Sequence, residues 1–146
     1  MIVIVTAMDK EYDLIREWIA KNWLDYKNVQ NIALIKSGIG KVNAASCLTE
    51  FLSSNTSSKV TRVISVGCAG AAVAGLKPGN VVIGNSYCYH DVYCGEPNAN
   101  GQVQGMPAVF PSDFSWIDMD ERFRLGTIAT GDKFVTTREQ VLAFKD

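Results

Sequence analysis

An α/β fold, a three-layer sandwich around a central mixed β-sheet, is predicted for this chain by three observations. Short β-branched apolar runs alternate with stretches of helical period. Two of those runs break into glycine turns, Ser37-Gly38-Ile39-Gly40 and Gly67-Cys68-Ala69-Gly70. A carboxylate, Glu11, stands in the first turn of the helix that follows the first run. In an open α/β sheet such positions fall at the carboxyl ends of strands, where ligands bind.

Met1 to Ala7 is apolar and rich in β-branched residues, the pattern of a buried strand. Asp9 is placed to cap a helix from Lys10, with Leu14, Ile15, Trp18 and Ile19 on its apolar face. Ile32 to Lys36 is a second strand, and a helix follows the turn from Lys41. Its inner face is expected to hold Val42, Ala45, Leu48, Phe51 and Leu52, and the polar run Ser53 to Lys59 closes it. Arg62 to Val66 is the central strand, and Val81 to Tyr87 another, introduced by the turn Lys77-Pro78-Gly79-Asn80. Asp91 to Ser112 has no period and reads as a long loop of the kind that serves function. Leu125 to Thr130 is a last strand and Arg138 to Lys145 a last helix.

Length and composition narrow the function. At 146 residues, with no internal repeat or linker, the chain is expected to form one domain over residues 1–146. Lys plus Arg number 14 against 15 Asp plus Glu, which argues against nucleic acid or an anionic membrane surface as partner. No apolar run approaches the ~20 residues that span a bilayer. Met1 leads directly into Ile-Val-Ile-Val without a basic segment, so a cytoplasmic location is expected. The four cysteines, Cys47, Cys68, Cys88 and Cys94, form no C-x-x-C pair, and His90 is the one histidine. Reduced thiols, no metal site and no cofactor are expected.

Several residues have the chemistry for a site. Glu11 precedes Leu14 and Ile15 by three and four positions, so it shares the core-facing side of its helix. Burial disfavours a charged carboxylate there, while the helix N-terminus favours it, a balance that suits a general base. The same residue also fits a purely structural role, complementing the helix dipole at the edge of the core, and spacing alone leans that way. The Gly67–Gly70 loop offers backbone N–H groups to an anion or a sugar hydroxyl, or simply ends a strand. Gly38-x-Gly40 lacks the third glycine of a dinucleotide fingerprint, since Asn43 stands there. His90 and Asp91, as neighbours on a strand, are expected to point to opposite faces. Phe134 can stack on a flat base or serve plain packing.

Together these segments resemble the nucleoside phosphorylase superfamily, and within it the 5′-methylthioadenosine/S-adenosylhomocysteine nucleosidase family. The resemblance is carried by Thr6-Ala7-Met8-Asp9-Lys10-Glu11, Lys36-Ser37-Gly38-Ile39-Gly40-Lys41-Val42, Gly67-Cys68-Ala69-Gly70, Leu76 to Val82, Tyr89-His90-Asp91, Gly101 to Phe110, and Gly131-Asp132-Lys133-Phe134-Val135. These occur in the family's order over nearly the whole chain.

The resemblance implies hydrolysis of the N-glycosidic bond of an adenosine thioether, with adenine as product, in methionine salvage. It implies Glu11 as the group that activates water and Met8 beside the ribose. Cys68, Ala69 and Gly70 would form the floor, Phe134 would stack on adenine, and the Val135 backbone would bond the adenine edge. It also implies a homodimer in which the loop after His90-Asp91, with Tyr93, Met106, Val109 and Phe110, enters the partner's site.

Departures from the family shape these expectations. Ser65 stands where the phosphorylases carry a phosphate-binding arginine, and Glu11 where another phosphate contact would lie. Cys68 replaces a serine, and the stretch between Trp18 and Ile32 is short. The family's methionine–glutamate and serine–aspartate motifs, for ribose and for protonation of adenine, fall beyond Asp146. The expectation is therefore a fold missing its last strand and helices, with little turnover on its own. A purine nucleoside phosphorylase and a catalytically inactive adenosine-thioether binder stand as the alternatives.

Overall fold

A computed structural model describes residues 1–22, 31–56 and 59–143. The chain divides into two compact units, Met1–Ala69 and Gly70–Asp146. The α/β class and the mixed sheet are as expected.

The first unit runs β1 (Ile2–Thr6), α1 (Asp9–Asn22), β2 (Ile32–Lys36), α2 (Lys41–Ser54) and β3 (Arg62–Ser65). Its sheet has the order β2-β1-β3. All pairings are parallel, with Ile2 opposite Ile32 and Arg62. A parallel strand between two neighbours is covered on both faces, so it reads as a continuous apolar run rather than an alternation. β1 obeys this: Val3, Val5 and Thr6 are all buried. Its carboxyl end is held on both sides. The Ser37 N–H donates to the Thr6 carbonyl at 2.9 Å, and the Val66 N–H to the Val5 carbonyl at 2.9 Å.

The helices bury different stripes from those expected. In α1 the inward stripe runs through Glu11, Ile15 and Ile19, spaced by four, while Leu14 (70% exposed) and Trp18 (52%) lie on its outer flank. In α2 the half-buried apolar positions are Ala44, Cys47, Leu48 and Phe51, and Val42, Ala45 and Leu52 are exposed. Apolar residues occupy more than half the circumference of α2, so period alone does not select which of them face inward.

The second unit runs β4 (Val81–Tyr89), β5 (Phe110–Pro111), β6 (Phe123–Thr130) and α3 (Arg138–Leu142). Its sheet has the order β5-β4-β6 and is mixed. β6 lies parallel to β4 and β5 antiparallel to it. β5 falls inside the stretch expected to be loop; two residues are too few to show a period. The β4–β6 register shifts between Gly84 and Ser86. Beyond the shift, the Ser86 and Thr127 hydroxyls hydrogen-bond at 2.8 Å. α3 starts with a capping box: the Thr137 hydroxyl accepts from the Gln140 N–H, and the Gln140 side chain accepts from the Thr137 N–H. The part of the expected last helix at residues 144–145 lies outside the described residues.

The Asp91–Ser112 stretch folds back on the end of β4 through Gly101. Gly101 is buried, has φ +80°, and donates its N–H to the Val92 carbonyl at 2.9 Å. A Cβ there would stand 2.3 Å from the Tyr89 carbonyl oxygen. Gly105 shares the same φ of +80° but has open space around the Cβ position. Gly101→Ala is therefore expected to destabilise the chain by ~1–3 kcal/mol more than Gly105→Ala, since it adds a backbone clash to the same dihedral strain. Urea unfolding of the two variants checks this, and equal midpoints would contradict it.

Candidate active site

Glu11 is buried, with 9% of its surface exposed. It lies in the first turn of α1, and the Tyr12 N–H donates to the Met8 carbonyl at 3.0 Å, which makes Met8 the N-cap residue just before the helix. Glu11 is then three residues into the helix, the position from which a glutamate reaches back to unpaired N–H groups at the start. It does so: the Ala7 and Met8 N–H groups donate to Oε2 at 3.1 and 3.0 Å. A third donor comes from far along the chain, where the Cys68 N–H donates to Oε1 at 2.9 Å. The carboxylate thus ties the carboxyl end of β1 to the loop after β3.

Gly67 makes that approach possible. A Cβ on Gly67 would lie 2.9 Å from Glu11 Oε1 and 3.3 Å from its Cδ. The glycine loop could offer N–H groups to an external anion or hydroxyl, or simply end a strand. One of them, that of Cys68, is instead taken by the protein's own carboxylate. Asp9, expected to cap α1, is the first residue of the helix, and its carboxylate pairs with the Lys36 ammonium at the end of β2.

The other candidates divide between the units. Met8 is 38% exposed, and Cys68 and Ala69 are exposed beside Glu11 in the first unit. Gly70 begins the second unit, which also holds Phe134 and Val135 beyond β6. Phe134 is 86% exposed. Val135 is half-buried and lines a cavity of about 520 Å³ with His90, Asp91, Asn100, Lys133 and Gln140, among others. Phe134 does not line that cavity.

His90 and Asp91 depart from the expectation of opposite faces. They lie past the end of β4, where strand alternation no longer applies. A Cβ on Gly131 would meet His90 Nε2 at 2.6 Å and Asp91 Cγ at 2.7 Å, so both side chains converge on that glycine. Asp91 Oδ2 accepts the Asp132 N–H at 2.7 Å, and the His90 N–H donates to the Thr130 carbonyl at 2.9 Å. The parallel ends of β4 and β6 are stitched together there.

Sequence reasoning missed Ala7 as a donor. The Met8-x-x-Glu11 spacing, a capping box without the usual hydroxyl residue at its first position, signals the neighbouring Met8 donor. Among the described residues no cluster of His, Cys, Asp and Glu is arranged to hold a metal ion. No helix among them is long and apolar enough to cross a membrane.

The sequence profile of the phosphorylase superfamily matches residues 1–145. The chain belongs to this superfamily. Within it, the chain is 32% identical over 156 residues to a 5′-methylthioadenosine/S-adenosylhomocysteine nucleosidase of Oceanobacillus iheyensis, covering 94% of this chain and 67% of that protein. It is 38% identical over 125 residues to the nucleosidase of the same name from Bacillus cereus, covering 79% of this chain and 53% of that one. The chain thus spans between half and two thirds of the length of these relatives. Among solved structures, the nucleosidase of Streptococcus pneumoniae with the transition-state inhibitor MT-ImmA superposes with a TM-score of 0.81 at 29% identity, over 99% of this chain and 70% of that one. The Neisseria meningitidis nucleosidase with methylthio-immucillin-A gives a TM-score of 0.77 at 29% identity, over 99% and 70%.

The Lys36–Asp9 pair beside the site yields a prediction. The hydrogen bond from Lys36 to Asp9, and then the charge of Asp9, raise the Lys36 pKa above its ordinary value. A raised lysine pKa contributes stability below the ordinary lysine value, and that contribution fades as pH rises through the folded value. The pair is exposed, so the contribution is small. Asp9→Asn is expected to return the Lys36 titration downward to the ordinary lysine range, followed by NMR of the Lys36 side chain. An unchanged titration would show that the pair does not persist in solution.

Proposed function

We propose that this chain supplies the water-activating part of a site that, as the named relatives suggest, hydrolyses the N-glycosidic bond of 5′-methylthioadenosine and S-adenosylhomocysteine with release of adenine, and that its own turnover is slow. The observation that carries the proposal is the buried Glu11 carboxylate, held by three backbone donors at the carboxyl end of β1 in a chain of this superfamily. Glu11 takes a proton from water, the water oxygen bonds to the anomeric carbon, and the electron pair of the C–N bond leaves with the purine. The proton taken by Glu11 passes to solvent and solvent returns one to the purine, so that one water is consumed per turnover. A carboxylate is suited to this chemistry because it is both a base and a nearby negative charge for an oxocarbenium-like transition state.

In this reading Met8 packs beside the ribose, Cys68, Ala69 and Gly70 form the floor of the site, Phe134 stacks on adenine and the Val135 backbone bonds its edge. A homodimer, a cytoplasmic location and a place in methionine salvage belong to the same proposal. Phosphorolysis is disfavoured. Ser65 supplies no charge for phosphate, and the Cys68 N–H that an anion would use is already bonded to Glu11.

Two outcomes are expected. Glu11→Gln keeps the shape of the side chain but cannot take the proton, so adenine release from methylthioadenosine falls by ~10²–10⁴-fold. The release is measured with and without phosphate. Undiminished turnover in the variant, or ribose 1-phosphate formed only with phosphate, would overturn the reading. Phe134→Ala removes the proposed stacking surface and is expected to weaken adenine binding by about tenfold, within the ~1–3 kcal/mol of base–aromatic stacking. Calorimetric titration with adenine measures it, and unchanged affinity would remove Phe134 from the site.

A further inference from the structure

We propose that Oε1 of Glu11, and not Oε2, is the atom that takes the proton from water, and that Gly67 is the positioning residue that keeps it available. The inference rests on the hydrolytic reading above and assigns its chemistry to one atom and one backbone position.

A carboxylate oxygen has two in-plane acceptor sites. Oε2 accepts from both the Ala7 and the Met8 N–H groups, at 3.1 and 3.0 Å, and is filled. Among the described residues Oε1 accepts from the Cys68 N–H alone, at 2.9 Å, and keeps one site for water. The Cys68 bond does not consume the basic oxygen; it fixes the direction of the acceptor site that is left. Ala7 and Met8 hold the other oxygen by contacts three and four residues away, local to the helix start. Cys68 holds Oε1 across 57 positions of sequence.

Gly67 governs whether that long-range bond forms. The carboxylate lies against the Gly67 Cα, and a Cβ there would reach 2.9 Å from Oε1, 3.3 Å from Cδ and 3.5 Å from Oε2. Among the described residues, the three atoms nearest that position all belong to Glu11. The backbone of Gly67 does not require glycine, for its φ lies outside the left-handed region. It is thus the carboxylate that an alanine would meet first. The carboxylate is the end of a flexible side chain, so it can yield to a methyl group at small cost in stability. Yielding rotates Oε1 away from Cys68 and misdirects the remaining acceptor site. The substitution separates stability from function.

The test is Gly67→Ala in the full chain. Its thermal midpoint is expected to fall by no more than the few degrees that one lost hydrogen bond accounts for. Its kcat for adenine release is expected to fall by ~10–100-fold with KM within about threefold, the pattern of a misplaced reacting group. Amide hydrogen exchange gives a reading that needs no turnover. The Cys68 amide is expected to exchange about tenfold faster in Gly67→Ala, as one hydrogen bond of this kind is lost. In a Glu11→Ala background, where no carboxylate stands in the way, Gly67→Ala is expected to change Cys68 exchange no further. Additive effects in the two backgrounds, an unchanged kcat, or loss of protection spread evenly over the unit would overturn the proposal. A parent chain without turnover would sink the hydrolytic reading and the catalytic half of this one, while the exchange data would still decide what positions Oε1.

Discussion

The first unit is organised around one buried carboxylate and its three backbone donors. Removing a carboxylate from water costs several kcal/mol unless its acceptor sites are satisfied. Here the satisfaction comes from two places at once. Ala7 and Met8 supply N–H groups that the start of any helix leaves unpaired, and Cys68 supplies one from the loop that follows β3. The same group therefore caps α1 and fastens the ends of β1 and β3 to one another. β3 has to lie parallel beside β1 for this to work. Parallel neighbours bring the start of α1 and the exit loop of β3 to the same end of the sheet. The bonds of Ser37 and Val66 to the last residues of β1 hold that end in register.

Two readings of Glu11 looked like alternatives in the sequence, a dipole-complementing first-turn residue and a reactive carboxylate in a cleft. The geometry makes the first a precondition of the second. Capping consumes Oε2, which orients the side chain, and the orientation presents Oε1 to the loop after β3. On the proposed reading, a structural role and a chemical one divide between the two oxygens of a single group.

What was legible in the sequence follows from how local each signal is. β1, β2 and β3 are apolar β-branched runs bounded by turns, and their limits agree with the expected ones to within a residue or two. The contact between Met8 and Glu11 is likewise encoded in a three-residue spacing. The inward stripe of α2 was not legible, because Val42, Ala44, Ala45, Cys47, Leu48, Phe51 and Leu52 leave too little polar surface to mark an outside. β5 was invisible because its two residues, Phe110 and Pro111, acquire strand character only from their pairing with Ser86 and Tyr87. The convergence of His90 and Asp91 on Gly131 depends on where β4 ends, which alternation along the strand does not encode. The Cys68 bond to Glu11 joins residues whose proximity exists only once β3 has paired with β1.

The electrostatics of this arrangement bear on the proposed choice between water and phosphate. Backbone N–H groups at the carboxyl ends of parallel strands are a ready place for an anion. In this chain that place is already occupied by a carboxylate belonging to α1, and its negative charge opposes a second anion at the distance of a hydrogen bond. The repulsion is strongest where water is excluded, since it grows as the local dielectric falls. A neutral water meets no such opposition and is a good donor to the acceptor site left on Oε1. On the proposed reading, the same negative charge that repels phosphate stabilises a positive sugar ring in the transition state. On the proposed reading, one carboxylate selects the nucleophile, receives its proton and steadies the cation it attacks. All three effects depend on the glycine that lets the carboxylate lie against the loop after β3.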